Sequence, residues 1–248
     1  GRGPARGERA HSWDPASGQL ALSDLEGVDA VVHLAGESIA EGRWTEAKMA
    51  RIRDSRGVGT RLLCERLAQL EDKPRVLVCA SAIGFYGDRG EELLHEGSAP
   101  GKGFLVDVCQ EWEDACAPAR EAGIRVVSVR IGVVLSRKGG ALAKMLLPFQ
   151  LGVGGNIGNG KQYMSWIELG DLVGVIQHAL ECESLSGPVN AVAPVAATNA
   201  EYTRALGRAL SRPTLFPVPA FAARLAFGKM AEDLLLASVR EMAERCCA

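Results

Sequence analysis

The chain is 248 residues long, 47% apolar, with a formal net charge of −2. That length suits one large α/β domain, or one domain with a small appendage, around a substantial core. The charge gives no electrostatic footprint for nucleic acid or an anionic membrane surface. No run of about 18 apolar residues is present to form a transmembrane helix. Gly1 to Arg9 is a Gly/Arg-rich leader without the apolar segment of a signal peptide.

In chain order, residues 1–20 have no strong period and contain Trp13-Asp14-Pro15, which predicts a loop. Ser23-Asp24-Leu25-Glu26 has the capping-box pattern and predicts a helical turn. Val28-Asp29-Ala30-Val31-Val32-His33 is a short apolar run ending in Leu34-Ala35-Gly36-Glu37. Continuous Val/Ile runs are typical of strands buried on both faces of a parallel sheet, whose ligands bind beyond the carboxyl ends of the strands. Ala35 and Gly36 have so little side chain that a flat ligand could approach the backbone there.

A helix is expected from Thr45 to about Glu71, with Met49, Ile52, Leu62, Leu63, Leu67 and Leu70 on one stripe and Gly57 and Gly59 weakening its middle. Arg51, Arg53 and Arg56 lie on it, by default as solvated charge. Val76 to Ser81 is the second buried strand, running into Ala82-Ile83-Gly84-Phe85-Tyr86-Gly87-Asp88. A helix over 104–122 follows, burying Phe104, Val108 and Trp112, and then a third strand from Ile124 to Ile131 leads into Val133-Val134-Leu135. The strand–helix alternation is the βαβ signal for a parallel sheet.

Beyond Gly139-Gly140, a helix is expected to about Gln150, a glycine-rich loop over Gly152 to Gly160, and a short strand over Tyr163 to Ile167. Then come a helix from Asp171 to Leu180, a strand over Pro188 to Val192 and a capping box, Thr198-Asn199-Ala200-Glu201, opening a helix to Leu210. Leu215 to Pro219 is expected to be extended, and Phe221 to Val239 helical in two pieces. The seven cysteines are scattered without a C-x-x-C pair, which points away from a disulfide framework or a metal site and towards a reducing, cytoplasmic compartment. Cys79 and Cys109 sit in apolar contexts and are expected in the core.

Several of these pieces in register carry a resemblance. Val31-Val32-His33-Leu34-Ala35-Gly36, Ser81 through Tyr86-Gly87-Asp88, Trp112-Glu113, Arg130 to Leu135, and Trp166-Ile167 leading to Asp171-Leu172 resemble the extended short-chain dehydrogenase/reductases, also called the NAD-dependent epimerase/dehydratase family. Gly42-Arg43-Trp44-Thr45, Ser55-Arg56, Gly158 to Gly160 with Gln162, and Ser165-Trp166-Ile167 are similar to its atypical, epimerase-like branch. The resemblance runs from about Trp13 to about Leu236.

It implies a Rossmann-type, doubly wound parallel α/β sheet with a small C-terminal substrate lobe. Residues 1–138 would be the NAD(P)-binding domain, and residues 139–248 a mixed region that partly returns to the sheet and partly forms the lobe. The family's opening strand and G-x-x-G-x-x-G turn find no match before Val28, so the first βα unit is expected to be missing. The implied activity is that of an NAD(P)-dependent oxidoreductase or nucleotide-sugar epimerase, with NADP or NAD as cofactor and a small molecule, such as a nucleotide sugar, as substrate. Cofactor contacts would come from Leu34, Ala35, Arg51, Arg56 and Val134, and substrate contacts from Glu37, Arg43, Trp44, Gln162 and Trp166. Ser81 matches the family's serine region and is the catalytic candidate. The family's Tyr-x-x-x-Lys pair is absent from Phe104-Leu105-Val106-Asp107-Val108-Cys109, and Tyr86 matches a structural Tyr-Gly-Asp motif. Three alternatives therefore stand side by side: an enzyme, a catalytically weak cofactor-binding protein acting through a partner, and an inactive truncated isoform. Neither nucleic acid, nor membrane, nor metal is expected, and the sequence sets no oligomeric state.

Overall fold

The computed structural model describes residues 13–15 and 17–245. The Gly1–Arg9 leader and Cys246 and Cys247 lie outside the described residues. The first half of the chain runs β1 (Ala30–His33), α1 (Glu46–Gln69), β2 (Val76–Ala82), β3 (Leu93–Leu94), α2 (Phe104–Asp114), α3 (Ala117–Glu121), β4 (Arg125–Ile131) and β5 (Val133–Ser136). The second half runs α4 (Gly140–Gln150), β6 (Tyr163–Met164), β7 (Trp166–Glu168), α5 (Leu169–Glu181), β8 (Gly187–Ala191), β9 (Ala197–Thr198), α6 (Asn199–Leu210), α7 (Ala220–Phe227) and β10 (Arg240–Glu241), with a π-helical turn at Ala231–Leu236.

The centre is a four-stranded sheet in the order β1-β2-β4-β8, all parallel. Alternation along the strands feeds two cores. Leu77 and Cys79 of β2 and Val126 of β4 pack under Leu63, Cys64 and Leu67 of α1 and Trp112 of α2. Val76, Val78, Val127 and Val129 pack on the opposite face against Leu172 and Ala179 of α5. Helices on both faces of a parallel sheet make this a Rossmann-type α/β fold, as expected. Burying one methylene contributes roughly 0.8 kcal/mol, so these apolar strands hold the scaffold on which the strand ends are displayed.

Local signals mostly hold, with three corrections. Thr45 caps α1 by accepting from Lys48 N, and Thr198 and Glu201 form the full capping box of α6. The box expected at Ser23 does not form: the chain makes a 3₁₀ turn at Leu22–Asp24 capped by Ala21, without a side-chain bond. The helix expected over 104–122 breaks at Ala115-Cys116, because Pro118 lacks an N–H and restarts the helix at its own first turn. The strand expected at 163–167 divides at Ser165, β6 pairing antiparallel with β9 and β7 parallel with β5. Conversely, Gly57 and Gly59 do not break α1, and Gly59 lies buried against Pro15 and Trp13. Cys64, Cys79, Cys109, Cys116 and Cys182 are free thiols, and Cys79 and Cys109 are buried as expected.

Candidate functional site

Leu34, Ala35 and Ser81 lie at the carboxyl ends of β1 and β2. The last β1–β2 pair is His33 with Cys79, so two residues on Ala35 is level with Ser81; β4 ends opposite β2 at Ile131–Ala82, just before β5. At the end of β1 is a cavity of ≈540 Å³. Its floor is Leu34-Ala35-Gly36-Glu37, its wall is Arg51, Ser55 and Val58 of α1, and Trp13 closes it from the preceding loop. A second cavity, ≈570 Å³, lies between α1 and α2 and contains no strand residue.

Glu37 is the polar node of the floor. Its carboxylate takes Lys48 Nζ at 2.8 Å and Arg51 Nε at 3.6 Å, and its N–H donates to Ser55 Oγ at 2.9 Å. Lys48 is buried while Arg51 is half exposed, so Arg51 is the cation offered to the cavity. Arg56 behaves differently. Its Nη1 donates to Glu37 O at 3.0 Å and Ile52 O at 3.2 Å, and its guanidinium stacks over Trp112. Burial lowers its pKa from the ordinary arginine value. A Cβ on Gly36 would stand 3.1 Å from the Arg56 guanidinium carbon, so the glycine lets the arginine clamp the loop from behind. Arg56 is thus neither solvated nor a wall of the cavity.

Ser81, next to last in β2, is buried, its hydroxyl donating to Glu113 Oε1 at 2.7 Å. Glu113 also takes Arg130 in a bidentate pair, Nε at 2.8 Å and Nη2 at 2.9 Å. Arg130 Nη1 reaches Tyr86 Oη at 2.9 Å, and the Tyr86 hydroxyl donates to Asn190 Oδ1 at 2.8 Å. Burial pushes the Tyr86 pKa up to about 12, against the pull of Arg130. Val134 packs into the α5-side core and pairs with Ile167.

Of the expected substrate residues, Glu37 lines the cavity. Arg43 reaches Leu225 O at 3.5 Å, Trp44 packs on Phe104 and Met230 with its Nε1 on Ile39 O at 2.8 Å, and Gln162 Nε2 bridges Ile157 O and Leu235 O, each at 3.0 Å. These three residues therefore meet one segment, 225–235, while Trp166 sits in β7, half buried. The tryptophan lining the cavity is Trp13 instead, its ring 5.4 Å from the buried His33. Burial lowers the His33 pKa to about 4, so its imidazole is neutral, with Nε2 3.0 Å from Thr60 Oγ1. Sequence reasoning assigned no role to Glu113, Arg130 or Asn190. The available signal was a charge inside an apolar strand, Arg130 within Val126–Ile131, which demands a buried partner.

The family profile described as the NAD dependent epimerase/dehydratase family matches residues 11–191. The epimerase family protein Mb2239 of Mycobacterium bovis is 44% identical over 239 residues, covering 96% of this chain and 78% of that protein. The crystal structure of the human epimerase family protein SDR39U1 (isoform 2) with NADPH superposes with a TM-score of 0.85 at 36% identity, over 94% of this chain and 78% of that one. The UDP-glucuronic acid 4-epimerase of Bacillus cereus, solved with UDP-glucuronic acid and NAD, shares the fold, with a TM-score of 0.70 at 18% identity over 84% of this chain and 68% of that one.

Proposed function

This chain belongs to the NAD dependent epimerase/dehydratase family, and from that footing we propose that it is an NADP(H)-binding oxidoreductase or nucleotide-sugar epimerase of the cytoplasm. The observation that carries the proposal is the cavity at the end of β1, floored by side-chain-poor Ala35 and Gly36 and edged by the half-exposed Arg51, on a fold shared with a relative solved with NADPH.

The residues present fit the cofactor at this edge. Ala35 and Gly36 leave room for a flat ring against backbone, Leu34 offers apolar surface, and Arg51 can pair with a phosphate. Arg56 fixes the loop that carries them. Among the described residues no glycine-rich turn opens a helix towards the cavity, and the first turn of α1 is already capped by Thr45. Bound there, the nicotinamide supplies hydride transfer to or from a carbinol carbon of the substrate. The part of 139–248 that does not return to the sheet meets the Arg43–Trp44 loop through the 225–235 segment, which suits it to position the substrate.

A second reading, a cofactor-binding protein with little catalysis, is favoured by one observation: both hydroxyls near the strand ends are engaged, Ser81 by Glu113 and Tyr86 by Asn190. Titrating the full chain with NADPH while exciting its tryptophans, of which Trp13 lines the cavity, tests the site. Quenching with energy transfer to the dihydronicotinamide is the expected result, and no retention in equilibrium dialysis would refute it. Cofactor turnover over a panel of nucleotide sugars and small alcohols then separates enzyme from binder.

A further inference from the structure

Residues 238–245 lace three parts of the fold together. Ser238 N donates to Asp88 Oδ1 at 3.2 Å, and Val239 N to Tyr163 O at 3.1 Å. Ser165 Oγ donates to Val239 O at 3.0 Å and accepts from Glu241 N at 2.9 Å. Met242 N donates to Leu94 O at 3.0 Å, and Met242 O accepts from Asn190 Nδ2 at 3.0 Å. The buried Glu96 carboxylate accepts from the N–H groups of Asn190 at 3.1 Å and of Glu244 and Arg245 at 3.4 Å.

At the centre of this lacing lies Glu241, 1% exposed, with no hydrogen-bond partner for either carboxylate oxygen. A buried, unpartnered carboxylate is tolerated far better neutral than charged. Three groups face it: Arg130 of β4, Glu96 from the segment after β3, and Tyr86 from the turn after β2. Arg130 favours the charged form, but its donors are taken by Glu113, Tyr86 and the Glu96 carbonyl, while the Glu96 carboxylate opposes it. On the segment itself, Arg240 lies over the Tyr163 ring, Arg245 reaches Pro188 O at 3.0 Å, and Glu244 stands 3.8 Å from the exposed His95.

We infer that residues 237–245 form a proton-controlled strap, docked while Glu241 is neutral and released when Glu241 ionises. The strap continues directly from the turn at Ala231–Leu236, whose Leu235 carbonyl holds Gln162 and whose neighbour Met230 packs on Trp44. Release therefore loosens the same segment that seats the substrate lobe on the sheet.

Burial pushes the docked Glu241 carboxyl well above the usual carboxylate range, with Arg130 pulling it down and Glu96 pushing it up. The undocked strap ionises near the ordinary value of about 4.3. The sign follows: docking is at full strength below that pH, and it weakens tenfold per pH unit as pH rises towards the raised docked value.

The test is amide hydrogen exchange on the full chain at pH 5, 6, 7 and 8, corrected for intrinsic rates, with the amides of β2 as the internal reference. The wild-type protection of Val239 to Met242 is expected to fall about tenfold per pH unit relative to β2. Glu241→Gln, which copies the neutral form, and Glu241→Leu, which fills the site with apolar atoms, should both flatten that slope. A flat wild-type slope overturns the inference outright, whether or not either variant folds. A slope that persists in both variants also overturns it.

Discussion

Truncating Glu113 should cost more stability than any other single polar change among the described residues, and the reason can be worked from the geometry. Arg130 has a side chain 4% exposed, and among the described residues Glu113 is its only carboxylate partner within ion-pair distance. Two short bonds, 2.8 and 2.9 Å, satisfy Nε and Nη2, and the same carboxylate receives the Ser81 hydroxyl. Glu113→Ala leaves a buried guanidinium with two orphaned donors. Breaking a buried pair from one side typically costs about 3–5 kcal/mol. For a chain of this size each kcal/mol moves the melting temperature by about 2–4 °C, so a drop of roughly 6–20 °C is expected. The Arg130 stack on Phe85, with 3.5 Å from the guanidinium carbon to the ring centroid, persists in the variant and does not supply the missing acceptor. Removing both charges, as Glu113→Leu with Arg130→Met, should recover most of the loss, because no uncompensated charge is left behind. Urea melts of wild type, Glu113→Leu, Arg130→Met and the double variant close the cycle. Glu113→Ala lying within about 1 kcal/mol of wild type would refute the reasoning, since water or a neighbouring group would then be satisfying Arg130.

Three further outcomes follow from the site. Arg51→Ala should weaken NADPH binding more than NADH binding, because a half-exposed cation at the rim can reach the extra phosphate; Arg56→Ala should weaken both equally, since it holds the Gly36-Glu37 backbone, and the opposite pattern in parallel titrations would reverse the two roles. His33 has its pKa lowered to about 4 from 6.5, so the unfolded chain takes up the proton first. Its contribution to stability is therefore full above about 6.5 and is lost as pH falls towards 4, by ~3 kcal/mol; His33→Gln, which keeps a partner for Thr60, should flatten that acid limb in urea melts, and an unchanged limb would count against it. Gln162→Ala should release two carbonyls, cost roughly 1–3 kcal/mol, and raise hydrogen exchange in 231–236 without affecting β2; uniform exchange across both would show that the bridge does not hold the lobe.

The scaffold was legible because its signal is local. Val76 to Ala80 is apolar on both alternating faces and Val126 to Val129 nearly so, with Ser128 the exception, a pattern typical of a sheet covered by helices on both sides. Pro118 shows the same locality from the other side, since the break it forces between α2 and α3 is written in one residue, although the surrounding apolar pattern reads as one helix. The floor of the candidate site was also local, Leu34 to Glu37 being contiguous. What the pattern does not encode is pairing across the fold. Glu113 and Arg130 are 17 positions apart, and Tyr86 and Asn190 are 104 apart, and nothing in either neighbourhood says which charge meets which.

The tryptophans show why such pairings decide function. An indole prefers burial yet carries one N–H that must find an acceptor, and a core position and a substrate-facing position satisfy both demands equally well. Trp44, an expected substrate contact, met them with the Ile39 carbonyl, Phe104 and Met230. Trp13, in a stretch without periodicity, packs against His33 at the mouth of the cavity, and its Nε1 is buried without an acceptor. The sequence pattern ranks the residue type correctly in both places but contains no term for which surface lies opposite. That surface is set by α1, whose twenty-four residues carry Ser55 and Arg56 under the loop and Arg51 to its rim. One helix thus fixes both the shape of the floor and the charge offered to a ligand, so the functional reading of Trp13, Gly36 and Arg51 stands or falls with the clamp that Arg56 makes on the Glu37 carbonyl.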